Sequence, residues 1–240
     1  MYDTMKVGIM QPYFFPYIGY ISLIKHTDKF ILFDEVQFTR HGWIERNRIL
    51  KQNEGWIYIK VPMKKHGRDT LIKDIEIDNS QDWKNKILSQ LQHYKKSAPN
   101  YFKVIKLLSD VFEKDYSNIV SLNKATLETV IIYLGLNRKI DVFSEMELEI
   151  EEPNNAGDWA LNICKAIPEA TEYWNPSGGK EIFDKDKFEK EKISLLFHEI
   201  ALKPYDQRRG IFESGLSIID VMMFNDVKII NMFLDQFSLS

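Results

Sequence analysis

The chain lacks most of the residues that announce the commonest chemistries. It carries a single cysteine, Cys164, among 240 residues, which excludes an intramolecular disulfide and any cysteine-based zinc cluster. Cys164 sits in "ALNICKAI", where apolar residues recur at helical spacing, and it reads as a small core residue. His26, His66, His93 and His198 are scattered and show no metal-ligand spacing. No nucleophile elbow, dinucleotide fingerprint or Walker loop occurs. No stretch approaches the roughly 18 apolar residues of a membrane span. The first residues lack a basic segment followed by a long apolar run, so a cytoplasmic protein is expected. The net charge of -3 gives no global basic field, which argues against nonspecific binding of duplex nucleic acid. There is no internal repeat, low-complexity tail or long linker, and a single α/β domain over 1–240 is expected.

What is present is a high aromatic content, 13% of the chain, which favours an aromatic-lined cleft or an interface. "MKVGIM" (5–10) reads as a buried strand, "YIGYISLIKHT" (17–27) as a helix and "KFILFDEV" (29–36) as a second strand. Strand, helix and strand within about thirty residues make a βαβ unit with a parallel sheet. "GWIYIKVPM" (55–63) and "LIKDIEID" (71–78) read as a hairpin. Helical periodicity follows over 82–97, 101–116 and 117–136, with Ser117 as N-cap and Gly135 as stop, so 81–136 is expected to be a helical insertion. The α/β pattern then returns. Strands are expected at 139–148, 170–175 and 193–200, and helices at 158–167, 184–192 and 214–226. A helical last segment, "VKIINMFLDQF", follows Asn225. The fold class is α/β with a mostly parallel sheet.

Ligands of open α/β sheets bind at the carboxyl ends of the parallel strands, and the first βα turn is the usual anion site. "QPYFFPYIGY" falls there. Pro12 and Pro16 stiffen it, and Gly19 permits a close approach. Gln11, Tyr13, Tyr17 and Tyr20 are candidates to hold a base or sugar by stacking and hydrogen bonding. The residues leave a second reading open: a hydrophobic plug under the sheet. The polar run "FDEVQFTRHGWIERNRI" (33–49) should lie beside it. Gln37, Arg46, Asn47 and Arg48 there suit an acidic substrate. Asp34 and His41 are the candidate proton acceptors. "YWNPSGGKE" (173–181) offers Ser177, Gly178, Gly179 and Lys180 for a phosphate, a carboxylate or an oxyanion. A plain turn is the alternative. In "KPYDQRRGIFESGLSIID" (203–220), Ser214 or Ser217 is placed to cap a helix rather than to catalyse.

In this order, "QPYFFPYIGY", "FDEVQF", "ERNRI", "YWNPSGGKEIFD" and "LSIIDVMMFN" resemble the WbqC-like family across essentially the whole chain. That resemblance implies a role in O-antigen or surface-polysaccharide biosynthesis, as an N-acyl or aminoacyl (glycyl) transferase acting on a nucleotide-linked amino sugar. The opening βαβ unit also resembles the nucleotidyltransferases whose first turn carries a Pro-x-x-x-Gly-His signature. Here Tyr17 and Tyr20 stand where those enzymes present histidines. A scaffold without the histidines implies an already activated acyl donor, an aminoacyl-tRNA or an acyl thioester. An ATP-dependent amide ligase and a non-catalytic binding module are the alternatives. No metal is implied, and a homodimer is compatible with the sequence.

Overall fold

The computed structural model describes residues 4–240. β1 (Met5–Met10), α1 (Ile18–His26) and β2 (Lys29–Leu32) form the expected βαβ unit, with Val7 opposite Lys29 in a parallel pair. β3 (Arg46–Leu50) and β4 (Trp56–Lys60) make a separate antiparallel hairpin. Next come α2 (Trp83–Gln90), α3 (Tyr101–Phe112) and α4 (Ile119–Tyr133). β5 (Ile140–Val142), α5 (Asp158–Lys165), β6 (Ala170–Pro176), α6 (Lys185–Lys190) and β7 (Ser194–Ile200) rebuild the α/β layer. α7 (Ile218–Phe224), α8 (Val227–Leu234) and β8 (Phe237–Leu239) close the chain.

The main sheet has six strands in the order β5-β2-β1-β6-β7-β8, all parallel except β8, which pairs antiparallel with β7. After β1 the chain moves outward to β2 and β5. It then crosses to β6 on the other side of β1. The connections therefore diverge at the carboxyl ends of β1 and β6.

Strand alternation sends Val7, Ile9 and Ile31 to one face of the sheet, against Leu161 and Ile163 of α5 and Phe188 of α6. Phe30 and Leu32 point to the other face, against Ile21, Leu23 and Ile24 of α1. That second core is continuous with Val104 and Leu108 of α3 and with Leu127 and Val130 of α4. Each such side chain contributes about 1.5–3 kcal/mol by leaving water. Among the described residues, no helix is long and apolar enough to cross a membrane.

Several expected elements fall differently. Residues 71–78 are not a strand. Ile72 and Ile75, both fully buried, recur at a spacing of three, and Ile72–Asp74 is one 3-10 turn. The true partner of β4 is β3, hidden in the polar run: Asn47 and Ile49 turn inward while Arg46 and Arg48 turn outward. The second strand stops at Leu32, and the strand expected over 139–148 at Val142, where Phe143–Glu145 turns into a 3-10 helix. Asn118, not Ser117, caps α4, its side chain accepting from the Ser121 N–H at 2.8 Å. Gly135 does end that helix, with φ of 69° and its N–H on the Ile132 carbonyl. Ser217 caps α7, as anticipated.

Asp220 of α7 is fully buried and joins distant segments. It accepts hydrogen bonds from Tyr94 at 2.6 Å, from Tyr205 and from Gln207 at 3.0 Å, while the Tyr94 hydroxyl accepts from the Leu50 N–H. Burial pushes its carboxyl from 3.8 up to about 6, against the lowering effect of its donors and Arg209. The folded state therefore holds a proton that the unfolded chain releases. The stability Asp220 contributes is present in full below pH 4 and lost as the pH rises through about 6. Urea denaturation should show that the stability difference between the wild type and Asp220→Asn shifts by about 3 kcal/mol between about pH 3 and pH 7. A pH-independent difference would contradict the assignment.

Candidate functional site

The loop between β1 and α1 divides its side chains between two environments. Phe14 and Phe15 are fully buried, whereas Tyr13 and Tyr17 are partly exposed. Its backbone carbonyls are held by side chains and amides from elsewhere. Tyr20 donates to the Gln11 carbonyl at 2.8 Å, and Asn123 of α4 donates to that of Pro12 at 2.8 Å. Asn47 of β3 donates to the carbonyls of Phe14 and Phe15, both at 3.0 Å. Ser217 adds a bond to the Phe15 carbonyl at 2.7 Å, and the Ile218 N–H reaches that of Pro16. Phe15 itself is held at a φ of 38°, a strained backbone for a residue with a side chain.

Over this loop lies a cavity of about 780 Å³ at the carboxyl ends of β1 and β6. This is the position where open α/β sheets bind ligands, and its size is that of a small-molecule site. Ile9, Met10 and Gln11 reach it from β1 and its end, and Tyr173 and Asn175 from β6. Its walls are mainly aromatic: Tyr13, Tyr17, Trp43, Phe33, Trp159 and Phe183. Burial raises the pKa of Tyr13 and Tyr17, so their hydroxyls stay protonated and can donate.

Arg48 supplies the cavity's charge. Its guanidinium lies 5.3 Å from the Trp43 ring and 5.1 Å from the Trp56 ring, and donates to the Gly215 carbonyl at 3.0 Å. Its buried Nε has no hydrogen-bond partner, and among the described residues no carboxylate pairs with it. A cation stacked between indoles, with no counter-charge, suits an anionic ligand. Among the described residues, the lining holds no carboxylate, imidazole or ammonium.

The cavity gathers Gln11, Tyr13, Tyr17, Asn47, Arg48, Gly178 and Gly179 from the expected set. The rest lie elsewhere. Tyr20 is fully buried, its ring packed against Phe30. Gly19 is inside α1, where a Cβ would come within 2.4 Å of the Tyr17 ring. Its bareness seats that ring rather than a ligand. Asp34 is 1% exposed, and both its oxygens are occupied by the Ser144 N–H (3.1 Å) and hydroxyl (2.6 Å). Burial raises its pKa against the pull of Ser144, and it pins the end of β2 to the turn after β5. His41 is exposed, with its N–H on Glu45, and lines a different groove. The pair expected to remove a proton is thus not at the cavity. Gln37 is exposed and bonded to the Arg68 carbonyl, and Arg46 lies over the Tyr58 ring on the outer face of the hairpin.

Ser177 opens the 3-10 turn after β6, next to the lining, and Lys180 points over Phe197 at 5.5 Å. Gly179 has no room for a side chain, since a Cβ would lie 2.2 Å from the Asn175 amide. Asn175, Tyr173, Trp43, Phe183 and Trp159 went unmarked as site residues. The strand-end rule, applied to β6 as it was to β1, points to Asn175. Nothing local marks Trp159, which sits on a helix. No group of three or more His, Cys, Asp or Glu able to hold a metal occurs among the described residues.

The model of the WbqC-like protein family matches residues 11–232. An uncharacterized protein of Mycobacterium tuberculosis strain H37Rv, Rv1507c, is 29% identical over 223 residues, 92% of this chain and 93% of its own. No solved structure matches the chain.

Asn47 and Arg48 are neighbours with opposite duties, and denaturation should separate them. Asn47→Ala leaves the Phe14 carbonyl buried without a donor and should lower stability by about 2–3 kcal/mol. Arg48→Met keeps the apolar stem between the indoles and should cost less than about 1 kcal/mol. Equal losses would mean that Arg48 is a structural residue.

Proposed function

Because the chain belongs to the WbqC-like protein family, we propose that its cavity binds a nucleotide-linked amino sugar and that the protein transfers an acyl or aminoacyl group to the sugar's amine. The reading places it in O-antigen or surface-polysaccharide biosynthesis. The observation that carries it is the aromatic cavity at the β1–β6 strand ends with Arg48 as its one charged side chain among the described residues. The rings suit a base and a pyranose stacked face to face. Arg48 suits the diphosphate between them, in the role expected of it together with Arg46.

The lining also bears on the donor. A neutral amine attacks an activated carbonyl without a strong base. The new C–N bond forms as the ester C–O or thioester C–S bond breaks, and the departing alkoxide or thiolate takes the amine's proton. What the protein supplies is proximity and donors for the carbonyl oxygen, among them the tyrosine hydroxyls and the backbone at Gly178. An ester or thioester donor therefore suits this cavity better than carboxylate activation by ATP. The same missing acid–base group also favours a second reading, a binding module that presents the sugar to another enzyme.

Calorimetric titration with a panel of dTDP- and UDP-linked amino sugars should give binding that Arg48→Met abolishes and Trp43→Ala weakens about tenfold. Mass spectrometry of nucleotide sugars from cells with and without the protein then separates the readings. A mass gain equal to an acyl group supports transfer, and an unchanged sugar supports the binding module. No heat with any member of the panel overturns both.

A further inference from the structure

The outer face of the β3–β4 hairpin is used by neither core. Strand alternation brings Arg46 and Arg48 of β3 to that face together with Trp56, Tyr58 and Lys60 of β4. The register pairs Arg46 with Lys60 and Arg48 with Tyr58. Like charges directly opposite each other destabilise a hairpin, yet no carboxylate among the described residues pairs with Arg46, Arg48 or Lys60. Glu54, in the hairpin turn, and Glu45, under the groove, pair with none of them. Aromatic rings separate the two arginines. Arg48 lies between Trp43 and Trp56, Trp56 meets Tyr58 edge-on at 4.9 Å, and Arg46 sits 4.0 Å over the Tyr58 ring. Trp43 and Trp56 are 37% and 39% exposed, unusual for tryptophan.

This ladder joins two concavities. At one end Trp43 and Arg48 line the strand-end cavity. At the other, Lys60 lines a second groove of about 510 Å³ with Arg40, Lys65 and Lys86, where cations outnumber the two lining carboxylates, Glu45 and Asp82. Among the described residues, none of those four cations has a carboxylate partner.

We propose that the β3–β4 face is a docking surface for the single-stranded end of an RNA, which runs from the basic groove across the Trp56–Tyr58 ladder and presents its terminal acyl ester to the cavity. The assignment of the acyl group rests on the transferase reading above. The surface itself does not. Alternating cations and rings fit a strand whose phosphates follow the cations and whose unstacked bases lie on the rings. Duplex bases are stacked and cannot reach those faces. The chain's overall negative charge also gives a duplex no general attraction. In the transfer, the sugar nitrogen bonds to the acyl carbon as the ribose ester C–O bond breaks, and the freed ribose hydroxyl takes the proton.

The test is fluorescence anisotropy of the whole protein with a labelled single-stranded oligoribonucleotide of about ten bases, and with the same sequence as a duplex. The single strand should bind more tightly, quench tryptophan emission, and show a log–log salt slope near -3, for about four phosphate contacts. Trp56→Ala should weaken binding about tenfold, and Lys60→Glu should lower the slope by about 0.7 or more. Both side chains are exposed, an unchanged urea midpoint shows that both variants are folded, and nucleotide-sugar binding should survive in Lys60→Glu, whose side chain does not line the cavity. Equal affinity for duplex and single strand, no binding at low salt, or an unchanged affinity in Trp56→Ala would overturn the proposal. Single-strand binding by a protein that takes up no nucleotide sugar would uphold the docking surface and remove the transferase reading.

Discussion

The site depends on how the peptide carbonyls of the loop from Gln11 to Tyr17 are satisfied. A loop that dives beneath a sheet buries polar backbone, and each buried carbonyl without a donor destabilises the fold. Here the donors come from α1, α4, β3 and α7: Tyr20, Asn123, Asn47 and the Ser217–Ile218 cap. Three parts of the chain remote in sequence, besides the adjoining α1, must be in place before the loop has its shape. Their combined grip can hold Phe15 at an unfavourable φ.

That grip also sorts the aromatic residues. With the backbone held, Phe14 and Phe15 have nowhere to go but the core, and Tyr13 and Tyr17 nowhere but the cavity. The loop is both core plug and cavity wall, decided residue by residue. Gly19 contributes by leaving room for the Tyr17 ring. The hairpin does the same for charge. Asn47 faces inward to hold the loop, Arg48 faces outward between two indoles, and a shift of one residue in register would exchange them.

Much of this was readable in order along the chain. The βαβ opening, the strands expected at 170–175 and 193–200 and the position of a cavity at strand ends follow from hydrophobic periodicity and the rule for parallel sheets. The five family motifs also lie where the structure needs them: on the loop, beyond β2, on β3, after β6 and on α7. Less readable was the hairpin, because "RNRI" alternates polar with polar, and only burial shows that Asn47 points inward. β8 was missed too. A three-residue strand, Phe237–Leu239, carries too little pattern to tell from a helix end.

Local sequence, then, determined the kind of fold and the stretch of chain that lines the strand-end cavity, since periodicity and proline act within a few residues. Which polar residues stand in the cavity was settled only by the tertiary structure. Asp34 and Arg48 look equally chemical in one dimension. Ser144, more than a hundred residues away, occupies Asp34, and no carboxylate among the described residues occupies Arg48. Whether a charge is consumed in holding the fold or left free for a ligand depends on its partners across space, and no local pattern encodes them.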